Sequence, residues 1–291
     1  MNKYKGCLVG LAVGDAIGTT VEFMDRGTFP TVTTMTGGGP FNLKAGQWTD
    51  DTSMALCLAN SLIENGFDAH DQIKKYIKWK DCGYMSVTGY CFDIGGTVNS
   101  ALSKYQRDST SPYCGSTNNY ASGNGGILRI APIPMYFKNY DDAIKYGVLS
   151  SEVTHGSNVC IESAVIMTRL LHAVLNDNIT KDACKKLVLS NVIPIFRTTD
   201  FINKPIKDIN GSGYVVESLE AALWCFFNTD GFEDAILTAV NLGNNADTTA
   251  AIVGQIAGAY YGYDTIPKVW LNKLYWHDSI VDTAAKLYLN K

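Results

Sequence analysis

The chain has 291 residues, of which 46% are hydrophobic and 18% are charged. This composition provides enough apolar surface for a folded core and excludes a disordered chain. The 24 basic and 28 acidic residues give a formal net charge of −4. Since the chain has no long run of like charge, we expect no nucleic-acid partner.

The eight cysteines are spread along the chain, and none forms a Cys-x-x-Cys pair. Their spacing excludes a zinc finger, and a chain of this length needs no disulfide framework, so we expect reduced thiols and a cytoplasmic protein. Residues 7–13 are too short an apolar run, and too soon followed by Asp15, for a signal peptide. The least polar stretch, 248–263, is too short and too polar to span a bilayer. We therefore predict a soluble protein without a membrane partner.

Apolar residues recur at three- and four-residue spacing through most of the chain, as at Met54, Leu58 and Leu62. This period predicts α-helices. Further amphipathic helices are predicted near residues 70–81, 92–105, 140–150, 181–195, 215–228, 233–242 and 278–289. Because two-residue alternation is confined to residues 31–36, we predict an all-α fold of roughly ten helices. The prediction is a single compact domain spanning residues 1–291, with long loops at 109–125 and 197–213 that build a site.

The first predicted helix carries glycines at four-residue spacing: Gly6, Gly10, Gly14 and Gly18. Such a helix presents one bare face against which a neighbour can pack closely. Asp15 and Glu22 are two helical turns apart, so both carboxylates would lie on one side if the helix continued that far. Two acids on one side are either general acid/base partners or a solvated face, and the spacing does not choose between them.

Residues 49–52 read Thr-Asp-Asp-Thr directly before an apolar helix predicted at 53–63. Acids at a helix start are commonly explained by N-capping and by the positive end of the helix macrodipole. The functional alternative is a site for Mg²⁺ or Mn²⁺, because these hard cations bind carboxylate and hydroxyl oxygens.

Residues 123–129 form a glycine-rich segment that we predict to enter a helix broken at Pro132 and Pro134. Glycines before a helix allow backbone N–H groups to approach an anion such as phosphate. A lone glycine loop is nevertheless more often a simple turn. His155 lies between two helical stretches, where a single histidine is more often structural than functional.

Residues 244–249 read Asn-Asn-Ala-Asp-Thr-Thr and open a helix without charge as far as Tyr263. We expect this helix to be buried, and a carboxylate at its start must then be compensated by hydrogen bonds or a cation. Together with residues 49–52, this makes two oxygen-rich helix starts far apart in the chain. We predict that the two helix ends converge on one buried metal site.

Taken in order, the segments GLAVGDAIG, GQWTDDTSMAL, GYCFDIGGTVNSAL, GNGGILRIAPIP and NLGNNADTTAAIVGQIAGAYYG resemble the ADP-ribosylglycohydrolase family over nearly the whole chain. The resemblance implies a compact all-α domain with two divalent cations, Mg²⁺ or Mn²⁺. The implied metal ligands are Thr49, Asp50, Asp51, Asn245, Asp247 and Thr248. The family has an aspartate where this chain has Asn245, which predicts that one cation binds more weakly or is absent.

The resemblance further implies hydrolysis of the bond between ADP-ribose and an acceptor, most often an arginine side chain of a protein. Glu22 and Asp50 are the implied acid/base candidates. The implied substrate-binding residues are Asp15, Gly123, Asn124, Gly125, Gly126 and His155. We expect a monomer that acts on an ADP-ribosylated protein or another ADP-ribose conjugate. Two alternatives remain open: a protein of the same fold that binds ADP-ribose and metal with catalysis weakened at Asn245, and a metal-dependent phosphohydrolase acting on a nucleotide.

Overall fold

The structure is a computed structural model that describes residues 1–290. Its α-helices, in chain order, are α1 (Asn2–Gly18), α2 (Asp50–Asn65), α3 (Ala69–Cys82), α4 (Gly96–Arg107), α5 (Pro132–Tyr136), α6 (Tyr140–Glu152), α7 (Asn158–Asn176), α8 (Lys181–Leu189), α9 (Asp200–Asn203), α10 (Val215–Phe227), α11 (Phe232–Val240), α12 (Ala246–Tyr261), α13 (Lys268–Leu271) and α14 (His277–Leu289). Short 3₁₀ turns lie at Thr19–Val21, Asn119–Ala121, Asn124–Gly126, Pro194–Phe196, Ile206–Asp208 and Tyr263–Thr265. The prediction of an all-α fold in one compact domain is confirmed.

One small hairpin interrupts the helices. Its strands, β1 (Gly37–Gly38) and β2 (Leu43–Lys44), pair antiparallel, with Gly37 opposite Lys44 and Gly38 opposite Leu43. Residues 31–36, where the sequence has two-residue alternation, do not form a strand. Instead, the backbone N–H and C=O of Val32 both bond to the side chain of Asn241, which takes the place of a neighbouring strand.

Helices α1 and α12 form the centre of the fold and run antiparallel. A Cβ atom on Gly6 would lie 2.0 Å from the carbonyl oxygen of Gly258, and one on Gly14 would lie 2.1 Å from that of Ala250. Only glycine therefore fits on this face of α1, as predicted. The antiparallel arrangement brings Asp15, near the end of α1, beside Asp247 at the start of α12.

The remaining long helices surround this pair. Helix α12 also packs against α7, α10 and α11, and α1 packs against α2 and α14. By length and composition alone, α7 is apolar enough to cross a membrane, but 61% of its apolar window is buried inside the fold. That burial is typical of a core helix. All eight cysteines are free, and six of them are buried.

Three predicted helix boundaries are wrong for local reasons. The helix predicted at 92–105 begins only at Gly96, because Asp93 adopts a left-handed backbone with φ 58°. The helix predicted at 181–195 ends at Leu189, because the backbone of Ser190, with φ −89° and ψ 47°, leaves the helical region. Pro132 begins α5 instead of breaking a helix, since a proline at the first helical position loses no intrahelical hydrogen bond.

The condition under which Asp15 and Glu22 would share one side of a helix is not met. Helix α1 ends at Gly18, a 3₁₀ turn follows, and Glu22 has extended backbone with φ −56° and ψ 140°. The two carboxylates reach the same region by different routes, since each lies close to Asp247.

Candidate functional site

The start of α2 is capped by a side chain from another helix. Asp15 accepts the N–H and hydroxyl of Thr49 at 2.8 and 2.9 Å, and those of Thr52 at 3.0 and 2.6 Å. The Thr49 side chain itself makes no capping bond to α2. Because Asp15 satisfies the helix start, Asp50 and Asp51 are not needed as caps. N-capping therefore does not explain the acidic start of α2.

The two oxygen-rich helix starts meet in the folded chain. The Thr49 Oγ1 atom lies 3.4 Å from Asp51 Oδ2 and 3.4 Å from Asp247 Oδ2. Thr248 Oγ1 lies 3.3 Å from the same Asp51 oxygen. Carboxylate oxygens of Asp15, Asp51 and Asp247 lie within 4.8 Å of one another. The structure thus brings together Asp15, Thr49, Asp51, Asp247 and Thr248, which form the floor of the site.

A second group of acids adjoins this floor. Glu22, Asp93 and Asp247 also offer oxygens within 4.8 Å of one another, so Asp247 belongs to both groups. Asp93 was not among the predicted site residues. Its signal in the sequence is an acid just ahead of Gly95 and Gly96 before a helix, a pattern that resembles the other acidic helix starts.

The site concentrates negative charge without a protein counter-ion. Within residues 1–290, none of its six carboxylates forms an ion pair with a lysine, arginine or histidine. Burial, reinforced by repulsion from neighbouring acids, raises the pKa of Asp15 to about 7 and that of Asp93 to about 8. Burial likewise raises the pKa values of Glu22, Asp50, Asp51 and Asp247.

The donor atoms fit divalent cations. Asp51 Oδ1 and Glu22 Oε2 are buried and have no hydrogen-bond partner among the described residues. The single hydroxyl hydrogen of Thr49 cannot satisfy the three carboxylate oxygens around it. An all-oxygen donor set with excess negative charge is what Mg²⁺ and Mn²⁺ prefer. These residues would therefore hold a hard divalent cation.

A cavity of about 400 Å³ opens above the acids. Its lining includes most of the predicted residues: Glu22, Asp50, Gly123, Asn124, Gly125, His155, Asn245 and Thr248. Asp15, Thr49, Asp51 and Asp247 are buried outside this lining. Gly126 also lies outside it, because its Cα faces Ser151, whose Oγ would be 2.6 Å from a Cβ atom.

Asn245 joins the acidic side of the cavity to the glycine-rich side. Its Oδ1 accepts a hydrogen bond from the Asn124 amide at 2.6 Å, and Asn124 also donates to Ser218 at 2.8 Å. Asn245 therefore holds residues 123–126, the glycine-rich turn, against the start of α12. A carboxylate in its place would add a seventh negative charge to the site.

His155 is fixed in one tautomer by a chain of hydrogen bonds. The buried Arg129 donates to Thr154 Oγ1 at 2.6 Å, and Thr154 Oγ1 lies 2.8 Å from His155 Nδ1. A guanidinium only donates, so the Thr154 hydroxyl accepts from Arg129. Its own hydrogen has no other acceptor among the described residues and must go to Nδ1. The ring proton is therefore on Nε2.

His155 lines the cavity, and its Nε2 lies close to Gly123 and Gly125. A Cβ atom on Gly125 would lie 3.0 Å from Nε2 and 2.5 Å from Cε1, so the ring packs directly on glycine backbone. Arg129 also donates to the Gly125 carbonyl at 2.5 Å. Burial, together with the charge of Arg129, lowers the pKa of His155 to about 3. His155 thus offers a neutral, fixed donor beside the glycine-rich turn.

Comparisons with known proteins identify the family of the chain. The profile of the family described as ADP-ribosylglycohydrolase matches residues 1–291. The ADP-ribosylarginine hydrolase Tri1 of Serratia proteamaculans (strain 568) is 41% identical, over 99% of this chain and 79% of that protein. The ADP-ribosyl-dinitrogen reductase glycohydrolase of Rhodospirillum rubrum is 33% identical, over 92% of this chain and 89% of that protein.

A solved structure gives the same result at the level of the fold. It is described as an ADP-ribosylglycohydrolase-related protein complex and superposes with a TM-score of 0.86 and 36% sequence identity. The match covers 99% of this chain and 97% of the other. The chain therefore belongs to the ADP-ribosylglycohydrolase family of enzymes.

Proposed function

We propose that this enzyme hydrolyses the bond between the anomeric carbon of ADP-ribose and an arginine side chain of a protein, with the help of divalent cations. The observation that carries the proposal is the cavity, whose lining combines carboxylates of the acidic cluster with the glycine-rich turn and His155. The names of the two relatives, which act on ADP-ribosylarginine and on ADP-ribosylated dinitrogen reductase, support this substrate class.

The two sides of the cavity suit the two chemical parts of ADP-ribose. Cations held by Asp51 and Asp247 would bind ribose hydroxyls. Without a cation, ionised carboxylates lying side by side would be poor partners for these hydroxyls. His155 Nε2–H, beside Gly123 and Gly125, suits the negatively charged oxygens of a diphosphate. We propose that the substrate lies across the cavity in this orientation.

Glu22 is our candidate for the general base. It lines the cavity, and its Oε2 has no hydrogen-bond partner among the described residues. A cation bound at the acids would favour the ionised form of Glu22 against the effect of burial. When water attacks the anomeric carbon, the Glu22 carboxylate takes its proton as the new carbon–oxygen bond forms. The carbon–nitrogen bond breaks, arginine leaves as a neutral guanidine, and this guanidine takes up the proton that Glu22 accepted from water. A divalent cation bound at the acids would orient the ribose and lower the pKa of a nearby water.

Asp50 is the second candidate for this role. It also lines the cavity, but it lies in the first turn of α2 and is adjacent to Asp51 on the floor of the site. We assign it to the binding of cation and ribose, which leaves Glu22 as the base. The two assignments differ in a measurable way, because loss of a cation ligand is partly overcome by excess metal and loss of the base is not.

Asn245 favours a second candidate function. A neutral amide at this position weakens one side of a cation site, so a slow enzyme that chiefly binds ADP-ribose is the alternative. A nucleotide phosphohydrolase with the same acidic site is a third. The three differ in their products: free ADP-ribose for the first, little or none for the second, and AMP or phosphate for the third.

The test is release of free ADP-ribose from an arginine-linked and from a serine-linked ADP-ribosylated protein, each with Mg²⁺, with Mn²⁺ and with EDTA. We expect release from the arginine-linked protein, abolished by EDTA. Glu22→Gln should lower kcat by at least about a hundredfold at any metal concentration. Asp50→Asn should lose activity that excess metal partly restores.

Asp182→Asn provides the matched control for Asp50→Asn, because Asp182 is an exposed acid in the first turn of α8. It should behave as wild type. Binding of ADP-ribose without release from either protein would favour the weakened alternative, and Asn245→Asp would then be the variant to assay. Release of AMP or phosphate in place of ADP-ribose would contradict the proposal.

A further inference from the structure

A row of aromatic rings borders the acidic end of the cavity. The aromatic row consists of Phe23, Phe41, Phe92 and Tyr90, with ring centroids 6.4, 5.2 and 6.0 Å apart in that order. Its members come from three separate loops: after α1, in the β1–β2 turn, and before α4. The side chains at its ends are the exposed ones, 64% for Phe23 and 62% for Tyr90.

The row and the acids are adjacent in the chain as well as in space. Phe23 follows Glu22, and Phe92 precedes Asp93, while the carboxylates of Glu22 and Asp93 lie within 4.8 Å of Asp247 and of each other. Phe23 also lines the cavity. An exposed ring at the edge of a strongly acidic cavity attracts a flat cation, because the ring face and the carboxylates both favour positive charge.

The ring of Phe23 is held in this position by strained backbone. Phe23 has φ 63°, a left-handed conformation that a bulky residue rarely adopts. Two backbone hydrogen bonds hold it: Phe23 N–H donates to Asn244 C=O at 2.8 Å, and Asn244 N–H donates to Met24 C=O at 2.7 Å. Strain retained beside a cavity points to a ring that is positioned before the ligand arrives.

We propose that the aromatic row is the binding site for the guanidinium group of the arginine from which ADP-ribose is removed, with Phe23 as its principal contact. This inference rests on the proposed function and adds the acceptor side of the substrate. A guanidinium stacks on aromatic faces and carries the charge that the adjacent acids attract. A serine acceptor has neither property, so the aromatic row would select arginine-linked substrates.

The experiment compares Phe23→Leu and Phe23→Tyr with wild type. Phe23→Leu keeps an apolar side chain on the same strained backbone but removes the ring face, and Phe23→Tyr keeps the face. We expect kcat/KM for an arginine-linked protein to fall about fivefold to tenfold in Phe23→Leu and to stay near wild type in Phe23→Tyr. Inhibition by free ADP-ribose, which lacks the guanidinium, should be unchanged in both.

Tyr140→Leu is the matched control, since Tyr140 is an aromatic residue of similar chemistry, 44% exposed at the start of α6 and outside the cavity. It should leave kcat/KM unchanged. If the wild-type enzyme is active and Phe23→Leu shows no loss of kcat/KM, this inference is overturned while the proposed function stands. Equal weakening of ADP-ribose inhibition and of turnover would also overturn it, because Phe23 would then contact ADP-ribose. No release by wild type would overturn the proposed function and this inference with it.

Discussion

At the scale of single residues, the least expected feature is the hydrogen-bond chain that sets the tautomer of His155. Arg129 is fully buried and pairs with no carboxylate within residues 1–290. Its hydrogen bonds go instead to Thr154, to the Gly125 carbonyl and to the Ser150 carbonyl, and its guanidinium lies 4.7 Å from the Tyr76 ring centroid. One buried cation thus orients both the glycine-rich turn and the histidine beside it.

Replacement of Thr154 by valine tests this arrangement. The variant keeps the shape of the side chain but removes the hydroxyl that connects Arg129 to His155 Nδ1. Without that donor, the ring proton is no longer confined to Nε2, so we expect ADP-ribose to bind about tenfold more weakly. Isothermal titration with ADP-ribose measures the affinity, and ¹⁵N NMR of the imidazole reports the tautomer.

Thr154→Ser is the control, because serine restores the hydroxyl and should restore both the Nε2–H tautomer and the affinity. A structural role alone would lower stability without changing the tautomer. Weaker binding by Thr154→Val with an unchanged Nε2–H signal would therefore contradict the hydrogen-bond chain. The low pKa of His155 further predicts that its ring does not titrate between about pH 5 and pH 8.

At the scale of elements, the contact of α1 with α12 determines the geometry of the site. Asp15 and Asp247 lie on these two helices, whose backbones touch through glycines. A Cβ atom on Gly10 would lie 2.4 Å from the Gly254 carbonyl oxygen and 3.0 Å from a ring carbon of Phe232. Because backbone cannot move aside as a flexible side chain can, an added methyl group must push the helices apart.

We therefore expect Gly10→Ala to lower the free energy of unfolding by about 2 kcal/mol, since overpacking of about 3 kcal/mol outweighs the roughly 1 kcal/mol gained in helix propensity. The same displacement should weaken Mn²⁺ binding, because the two aspartates move apart. Thermal unfolding and titration with Mn²⁺ measure the two effects.

Gly231→Ala is the control for this prediction. Gly231 has φ −148°, and the nearest atom to its Cβ position is 3.8 Å away, an ordinary contact. Its free energy of unfolding should change by less than about 1 kcal/mol. Equal stability of the two variants would show that the helices tolerate wider separation.

The sequence predicted those features that depend on one segment at a time. Periodic apolar residues located the helices, four-residue glycine spacing predicted the bare face of α1, and the acidic helix starts predicted a shared site. Contacts between segments were not predictable in this way. Asn241 replaces a neighbouring strand for Val32, and Asp15 caps a helix to which it does not belong.

The same limit explains the missed members of the site. The apolar period predicts a helix over the loop that contains Asp93. The sequence therefore did not indicate that the Asp93 carboxylate lies near Glu22. Phe41 reaches the aromatic row from the turn of a hairpin whose strands have only two residues each. Hydrophobic periodicity does not detect strands of that length. Nothing in the sequence pattern therefore indicated the turn or the position of the Phe41 ring.

At the scale of the whole molecule, the unpaired acids make the stability of the fold depend on both pH and metal. An aspartate in the unfolded chain has a pKa of about 3.9, whereas burial raises the pKa of Asp15 to about 7 and that of Asp93 to about 8. Between these values the folded chain holds more protons than the unfolded chain. Without metal, the free energy of unfolding therefore falls as pH rises from about 4 to about 8.

The resulting prediction is that EDTA-treated protein has a Tm at least about 5 °C lower at about pH 8 than at about pH 5. Divalent cations bind the ionised acids, so Mn²⁺ should raise the Tm strongly at the higher pH and little at the lower one. Scanning calorimetry with EDTA and with Mn²⁺ at the two pH values measures both effects.

Asp93→Asn separates the role of charge in this prediction from general effects of pH. The variant keeps the size of the side chain but removes one of the mutually repelling carboxylates, so its metal-free form should lose less stability as pH rises. It should also gain less from Mn²⁺. Metal-free wild-type protein that is equally stable at both pH values would mean that the acids are satisfied without a cation. In that case the catalytic proposal would lose its physical basis, because the excess of buried charge is what requires the metal.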